Sequence, residues 1–187
     1  MATRKALFLD RDGIINVNHG YVGDYENFDY IDGIFALIDT FVKAGYQVVI
    51  VTNQSGIARG YYTQENFHAL MERVQRDFSA AGLPTIPVYY CPHHPQGKLV
   101  EYKKACRCRK PQPGMLLRAQ HELGIDLSRS VLVGDSWSDI EAALAAELAH
   151  SFYVCEKYMP ENAPEGKVTR VNHVADVCAQ AQQLGLI

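Results

Sequence analysis

Short β-branched apolar runs alternate with segments of helical period along most of this 187-residue chain, and that alternation leaves few architectures open. Residues 5–10 read as a strand and lead into a Gly- and Tyr-containing loop reaching about residue 30. Over 31–44, Ile31, Ile34, Phe35, Ile38, Phe41 and Val42 share one helical stripe, which Gly45 ends. A strand at 46–52 (YQVVIVT) follows. Thr63 is positioned to cap a long helix whose apolar positions Phe67, Leu70, Met71, Val74 and Phe78 step by three and four. Further strands are expected at 86–90, 131–134 and 150–154, and further helices at 113–123, about 137–147 and 173–184. No internal repeat or low-complexity linker interrupts the pattern. The expectation is an α/β fold: one Rossmann-like, doubly wound parallel sheet with helices on both faces, forming a single domain over 1–187.

In such sheets ligands bind outside the C-terminal ends of the strands. The polar clusters of the sequence fall there. Asp10 and Asp12 follow the first expected strand, Thr52-Asn53-Gln54-Ser55-Gly56 closes the second, a Cys/His loop follows the third, and Asp135 ends the fourth. A hydrophobic content of 48% supports one sizeable core. The net charge of -3 argues against nucleic acid as the main partner, since neutralising phosphates requires surplus Lys and Arg. No run approaches the roughly 18–20 apolar residues of a membrane span. The apolar start at Ala6–Leu9 ends on Asp10, too early for a secretory segment. Five cysteines, three of them crowded into 91–108, suit metal chemistry in a reducing compartment better than disulfides. The expectation is a cytoplasmic monomer.

Asp10-Arg11-Asp12-Gly13 places two carboxylates at i and i+2 of a strand end, where they point the same way. Crowded acids repel unless a cation lies among them, and Asp135 supplies a third. A few carboxylate oxygens are what magnesium takes from a protein when its remaining positions go to water and phosphate. Phosphoryl transfer also needs donors for the equatorial oxygens and a fixed cation. Thr52, with the amides after it, and Lys110 are the candidates. No GxxxxGK[ST] run is present, which excludes a P-loop. A phospho-acceptor domain without turnover would place its aspartate on a middle strand, whereas the middle strands here end in Thr52 and Cys91.

Cys91-Pro92-His93-His94 and Cys106-Arg107-Cys108 form two pairs separated by a 12-residue gap. Three thiolates and an imidazole make a closed tetrahedral set, which is structural zinc chemistry; the spacing alone leaves His93 and His94 both open. A loop over about 91–110 without secondary structure gains order from such an ion, directly before Arg109 and Lys110. Lys98, Lys103, Lys104, Arg107, Arg109 and Lys110 put six positive charges into 13 residues of an acidic chain, which suits a substrate with two anionic ends. Cys155 and Cys178 read as buried apolar residues.

DRDG after the first strand, TNQSG after the second, CRKP, and Gly134-Asp135-Ser136-Trp137-Ser138-Asp139 resemble, in order, the four motifs of the haloacid dehalogenase superfamily of aspartate-nucleophile phosphatases. The resemblance implies that Asp10 attacks phosphorus, that Asp12 acts as general acid and then general base, and that Thr52 and Lys110 stabilise the transferring group. It implies Mg2+ held by Asp10, the Asp12 carbonyl and Asp135, with Asp139 as a supporting acid. The Cys/His loop resembles the zinc-loop branch of the superfamily, which contains histidinol-phosphate phosphatases and heptose-1,7-bisphosphate 7-phosphatases. That pattern selects Cys91, His93, Cys106 and Cys108 as the structural Zn2+ ligands. NHGY at 18–21, TNQSGIARG at 52–60, CPHHPQG at 91–97 and CRCRKPxPGM at 106–115 favour the heptose group, as does the long gap between the metal pairs. A bisphosphorylated sugar substrate is then implied, touched by Asn18, His19, Gly20, Tyr21, Asn53, Gln54 and Ser55, with Arg109 aimed at its second phosphate. Two departures stand out: Ile14 where relatives carry Thr or Val, and Ser136 where many carry Lys. No insertion is long enough for a separate cap domain.

Overall fold

The computed structural model describes residues 4–187. Six strands form one sheet in the order β3-β2-β1-β4-β5-β6, and every neighbouring pair is parallel. They are β1 (Ala6–Leu9), β2 (Gln47–Asn53), β3 (Val88–Cys91), β4 (Val131–Gly134), β5 (His150–Val154) and β6 (Val168–Val171). The helices are α1 (Ile34–Lys43), α2 (Ser55–Ala58), α3 (Gln64–Ala80), α4 (Gly114–Leu123), α5 (Trp137–Ala145) and α6 (Val177–Gln183).

Strand parity sorts the side chains between two apolar layers. Leu7, Leu9, Val48, Ile50, Val131 and Val133 face α1, α3 and α6, meeting Ile38, Phe41, Phe67, Val74, Phe78 and Val177. Ala6, Phe8, Val49, Val51 and Leu132 face α4 and α5, meeting Met115, Leu116, Ile140 and Ala143. Each large side chain removed from water in this way contributes about 1.5–3 kcal/mol, so register is fixed most firmly in the centre of the sheet. The order reverses between β1 and β4, and the crevice at their C-terminal ends is the binding position expected of this topology.

Local chemistry moved several boundaries. Gly33 precedes α1 at φ 84°, a left-handed conformation that keeps Ile31 out of the helix, and Leu37 completes the buried stripe. The third strand begins two residues later than expected, because Gln75 pairs with both backbone groups of Ile86 at 2.6 and 3.0 Å. It also extends to Cys91, which puts that thiol on a rigid element. Thr63 caps α3 and accepts from the Asn66 amide, while the Asn66 side chain accepts from the Thr63 amide. The one-turn helix α2 and the half-exposed edge strand β6 were not anticipated. The expected 173–184 helix is a 3-10 turn at Val174–Asp176 followed by α6. Cys155 and Cys178 are half-buried rather than buried, each packed beside one of the two layers. Among the described residues no helix is long and apolar enough to cross a membrane.

Candidate active site

Asp10 directly follows β1, and its amide donates to the Val133 carbonyl of β4 at 3.1 Å, which fastens it to the adjacent strand. Its Oδ1 accepts from Lys110 Nζ at 2.8 Å. The same ammonium donates to the Val51 carbonyl at 2.8 Å and lies 2.6 Å from Asp139 Oδ1. Lys110 itself is held by a two-point clasp: its amide donates to Asn53 Oδ1 at 3.0 Å, and Asn53 Nδ2 donates to its carbonyl at 3.1 Å. Carboxylate oxygens of Asp10, Asp135 and Asp139 lie within 4.8 Å of one another. Gly13 makes this approach possible, because a Cβ there would fall 2.0 Å from Asp135 Oδ2.

Three acids against one ammonium leave the cluster with excess negative charge. Burial, reinforced by Asp139, holds the Asp10 carboxyl well above the ordinary carboxylate range despite Lys110. Burial and Asp139 likewise push Asp135 up to about 6. Lys110 is raised above an ordinary lysine because the attraction of Asp10 and Asp139 outweighs its burial. A hard divalent cation is the group that relieves this excess, and an all-oxygen donor set suits magnesium. Asp139 has both oxygens engaged, one on Lys110 and one on the Ser136 amide at 3.1 Å as part of the α5 capping box.

The Asp12 side chain turns away from the three-acid group. Its Oδ1 accepts from Arg11 Nη2 at 2.6 Å and Asn16 Nδ2 at 3.0 Å, and its Oδ2 accepts from Gln54 Nε2 at 3.0 Å. Arg11 was not singled out from the sequence. It is fully buried, donates to the Val22 carbonyl at 2.6 Å, and sits 5.9 and 5.8 Å from the Phe28 and Phe67 rings. Strand parity was the available signal: Arg11 continues the Leu7–Leu9 alternation into that aromatic layer, on the side away from Asp10.

A cavity of about 340 Å3 opens above these groups. Asp10, Asp12, Asn18, Gly20, Tyr21, Asn53, Ser55, Arg109, Lys110, Asp135 and Ser136 line it, as does Tyr62, which sequence reasoning missed. Three expected residues are not in its wall. Thr52 is fully buried, with its Oγ1 accepting from Gln54 Nε2 at 2.8 Å, and Gln54 lies behind Asp12 at 1% exposure. His19 turns outward to Asp29, 2.7 Å away. Of the six loop cations, Arg109 and Lys110 alone reach the cavity; Lys98, Lys103, Lys104 and Arg107 are exposed elsewhere. Arg109 Nη1 is buried without a hydrogen-bond partner among the described residues. Ile14 is fully buried among apolar neighbours.

Beside the cavity, Cys91, His93, Cys106 and Cys108 converge with ligand atoms within 4.8 Å of one another. Their Sγ–Sγ separations are 3.0, 3.3 and 3.5 Å, and His93 Nδ1 lies 3.3 Å from Cys108 Sγ. These separations are shorter than the edge, roughly 3.7 Å, of a tetrahedron with metal–sulfur bonds near 2.3 Å, so the four donors already crowd the space that such an ion would occupy. His94 is occupied elsewhere, 3.3 Å from Arg59 Nη2 and accepting from the Gln96 amide. The loop is also tied to α2, whose Ala58 carbonyl accepts from the Lys98 and Leu99 amides at 2.7 and 3.0 Å.

Comparison with known proteins agrees with this geometry. Residues 107–181 match the HAD-hydrolase-like family model. A D-glycero-beta-D-manno-heptose-1,7-bisphosphate 7-phosphatase of Yersinia pestis is 49% identical over 143 residues, 76% of either chain. A D-glycero-alpha-D-manno-heptose-1,7-bisphosphate 7-phosphatase of Burkholderia mallei is 45% identical over 153 residues, covering 82% of this chain and 81% of its own. The crystal structure of the D,D-heptose 1,7-bisphosphate phosphatase from B. bronchiseptica, complexed with magnesium and phosphate, superposes with a TM-score of 0.80 at 28% identity, over 96% of this chain and 98% of its own. The chain belongs to the family of heptose-1,7-bisphosphate 7-phosphatases within the haloacid dehalogenase-like hydrolases.

Proposed function

We propose that this chain is a magnesium-dependent phosphatase that removes the 7-phosphate of D-glycero-D-manno-heptose 1,7-bisphosphate, working as a single-domain cytoplasmic monomer in the synthesis of nucleotide-activated heptose. The observation that carries this reading is Asp10, pinned at the cavity floor by Lys110 at 2.8 Å within a cluster of acids that calls for a cation. The Lys110 contact engages Oδ1 and leaves Oδ2 to attack phosphorus. Asp12, on the cavity wall, gives its proton to the departing sugar oxygen and then takes one from the water that attacks the aspartyl-phosphate.

Mg2+ would be held by Asp10, Asp135 and the Asp12 carbonyl, and when bound it offsets charge between carboxylate and phosphate. Lys110, with Asn53 and Ser55 beside it at the end of β2, stabilises the equatorial oxygens, and the buried Thr52 supports them from behind. Arg109 receives the second phosphate through a donor that has no partner among the described residues, while Asn18, Gly20, Tyr21, Asn53 and Ser55 hold the sugar. Zn2+ would be held by Cys91, His93, Cys106 and Cys108, where it would fix the loop that presents Arg109 and take no part in the chemistry. Relatives of both anomeric specificities support the heptose.

The test is phosphate release, with magnesium, from both heptose anomers, from monophosphorylated heptose and from histidinol phosphate. Asp10→Asn abolishes turnover in a protein that still folds. Substantial remaining activity rejects Asp10 as nucleophile, and preferred hydrolysis of histidinol phosphate rejects the heptose substrate.

A further inference from the structure

Tyr62 stands in the cavity wall with its ring wedged between two glycines. A Cβ on Gly23 would fall 2.4 Å from its Cδ1, and one on Gly56 would fall 2.3 Å from its Cε1. Both distances are deep inside van der Waals contact, so the ring occupies a slot that only bare backbone leaves open. Its hydroxyl donates to Gln54 Oε1 at 2.5 Å. Gln54, buried behind the catalytic acids, directs one amide hydrogen to Thr52 Oγ1 at 2.8 Å and the other to Asp12 Oδ2 at 3.0 Å. Every hydrogen-bonding atom of that amide is thereby used.

The direction of this chain matters. A side-chain amide turned by half a revolution would set its oxygen against the Asp12 carboxylate. The Tyr62 hydroxyl stabilises the orientation in which the NH2 group meets Asp12 and Thr52. The other Asp12 oxygen is held by Arg11 and Asn16, so among the described residues Gln54 is the one donor on Oδ2.

We propose that Tyr62, acting through Gln54, is a positioning residue that aims the Asp12 carboxyl at the leaving oxygen; this rests on the phosphatase reading of Asp10 and Asp12. In the first step an Asp10 oxygen–phosphorus bond forms and the phosphorus–sugar oxygen bond breaks, with the Asp12 proton passing to the sugar oxygen. In the second, water bonds to phosphorus, the Asp10–phosphorus bond breaks, and a water proton returns to Asp12. Proton delivery is needed most when the leaving alkoxide is poor, as from a sugar, and least when it is a nitrophenolate.

The test compares kcat/KM, which reports the leaving-group step, for heptose bisphosphate and for p-nitrophenyl phosphate. Tyr62→Phe keeps the ring in its slot and removes only the hydroxyl. It lowers kcat/KM for the sugar roughly 10- to 100-fold, through kcat, with KM within about twofold. The nitrophenyl ester loses at most about threefold. Gln54→Met loses at least as much on the sugar, and adding Tyr62→Phe to it costs nothing more, since both act through one contact. Gly56→Ala, which pushes the ring from its slot with the hydroxyl intact, reproduces the selective loss.

Equal losses on both esters, an additive double variant, no loss, or a rise in KM alone (a direct substrate contact) would each overturn the proposal. Should the nitrophenyl ester not be turned over, the double-variant comparison on the sugar decides. A wild-type chain that releases phosphate from neither ester fails the phosphatase reading instead, which keeps the two failures apart.

Discussion

Asp135 offers the sharpest measurement of what the acid cluster costs without its cation. Its folded-state acidity is shifted from 3.8 to about 6, by burial first and then by Asp139. At about 1.4 kcal/mol per pH unit the gap corresponds to about 3 kcal/mol, or about 2–3 once solvent at the cavity mouth is allowed for. The folded chain binds this proton more tightly than the unfolded chain does, so the group costs nothing below about pH 4. The penalty grows between about pH 4 and 6 and is complete above the folded value. Asp135→Asn keeps the volume and removes the charge. In chelator-treated protein at pH 7.5 the variant should therefore be the more stable by about 2–3 kcal/mol, roughly 4–12 °C in Tm for a chain of this length. At pH 4.5 the difference should shrink to about 1 kcal/mol or less. Magnesium should raise the Tm of the wild type and leave the variant nearly unmoved, while the variant loses turnover. Thermal unfolding followed by far-UV circular dichroism, at both pH values with chelator or magnesium, measures all four numbers. A variant less stable than wild type at pH 7.5 without metal, or a difference that ignores pH, refutes the idea that the three carboxylates are mutually strained.

The loop and the strand ends give two further measurements. Cys108→Ser should release zinc, detected by metal analysis, and lower kcat/KM on the bisphosphate roughly 10- to 100-fold as Arg109 loses its fixed position; unchanged kinetics in a folded, zinc-free protein breaks that link. Ser130, fully buried, accepts from the Ala6 amide at 2.9 Å and donates to the Asp126 carbonyl at 2.6 Å, so Ser130→Ala orphans the first amide of β1. The expected cost is about 1–3 kcal/mol in urea unfolding with kcat unchanged, and a kcat that falls in step would mean that β1 transmits the change to Asp10.

What could be read before the structure, and what could not, divides along a physical line. Local patterns carry element type: the β-branched run of β2, the Thr63 cap and the strand-end acids all follow from residue-level preferences. Boundaries failed where a distant side chain took over the backbone, as Gln75 does for Ile86, or where one backbone angle closed a helix, as at Gly33. Strand β6 escaped because an edge strand with one buried residue carries little apolar signal. At the site, motif position brought Asp10, Asp135 and Lys110 together but did not say which way a side chain faces. Gln54 and Thr52 sit inside the strand-end motif yet are buried, so they act on the cavity through Asp12 rather than from its wall. Their role depends on Tyr62, eight residues beyond Gln54, which reaches back because Gly23 and Gly56 leave room for its ring. Tyr62, Gly23 and Gly56 are unremarkable in sequence, and what joins them is a packing constraint that exists only once β1, β2 and the loops above them have closed on one another.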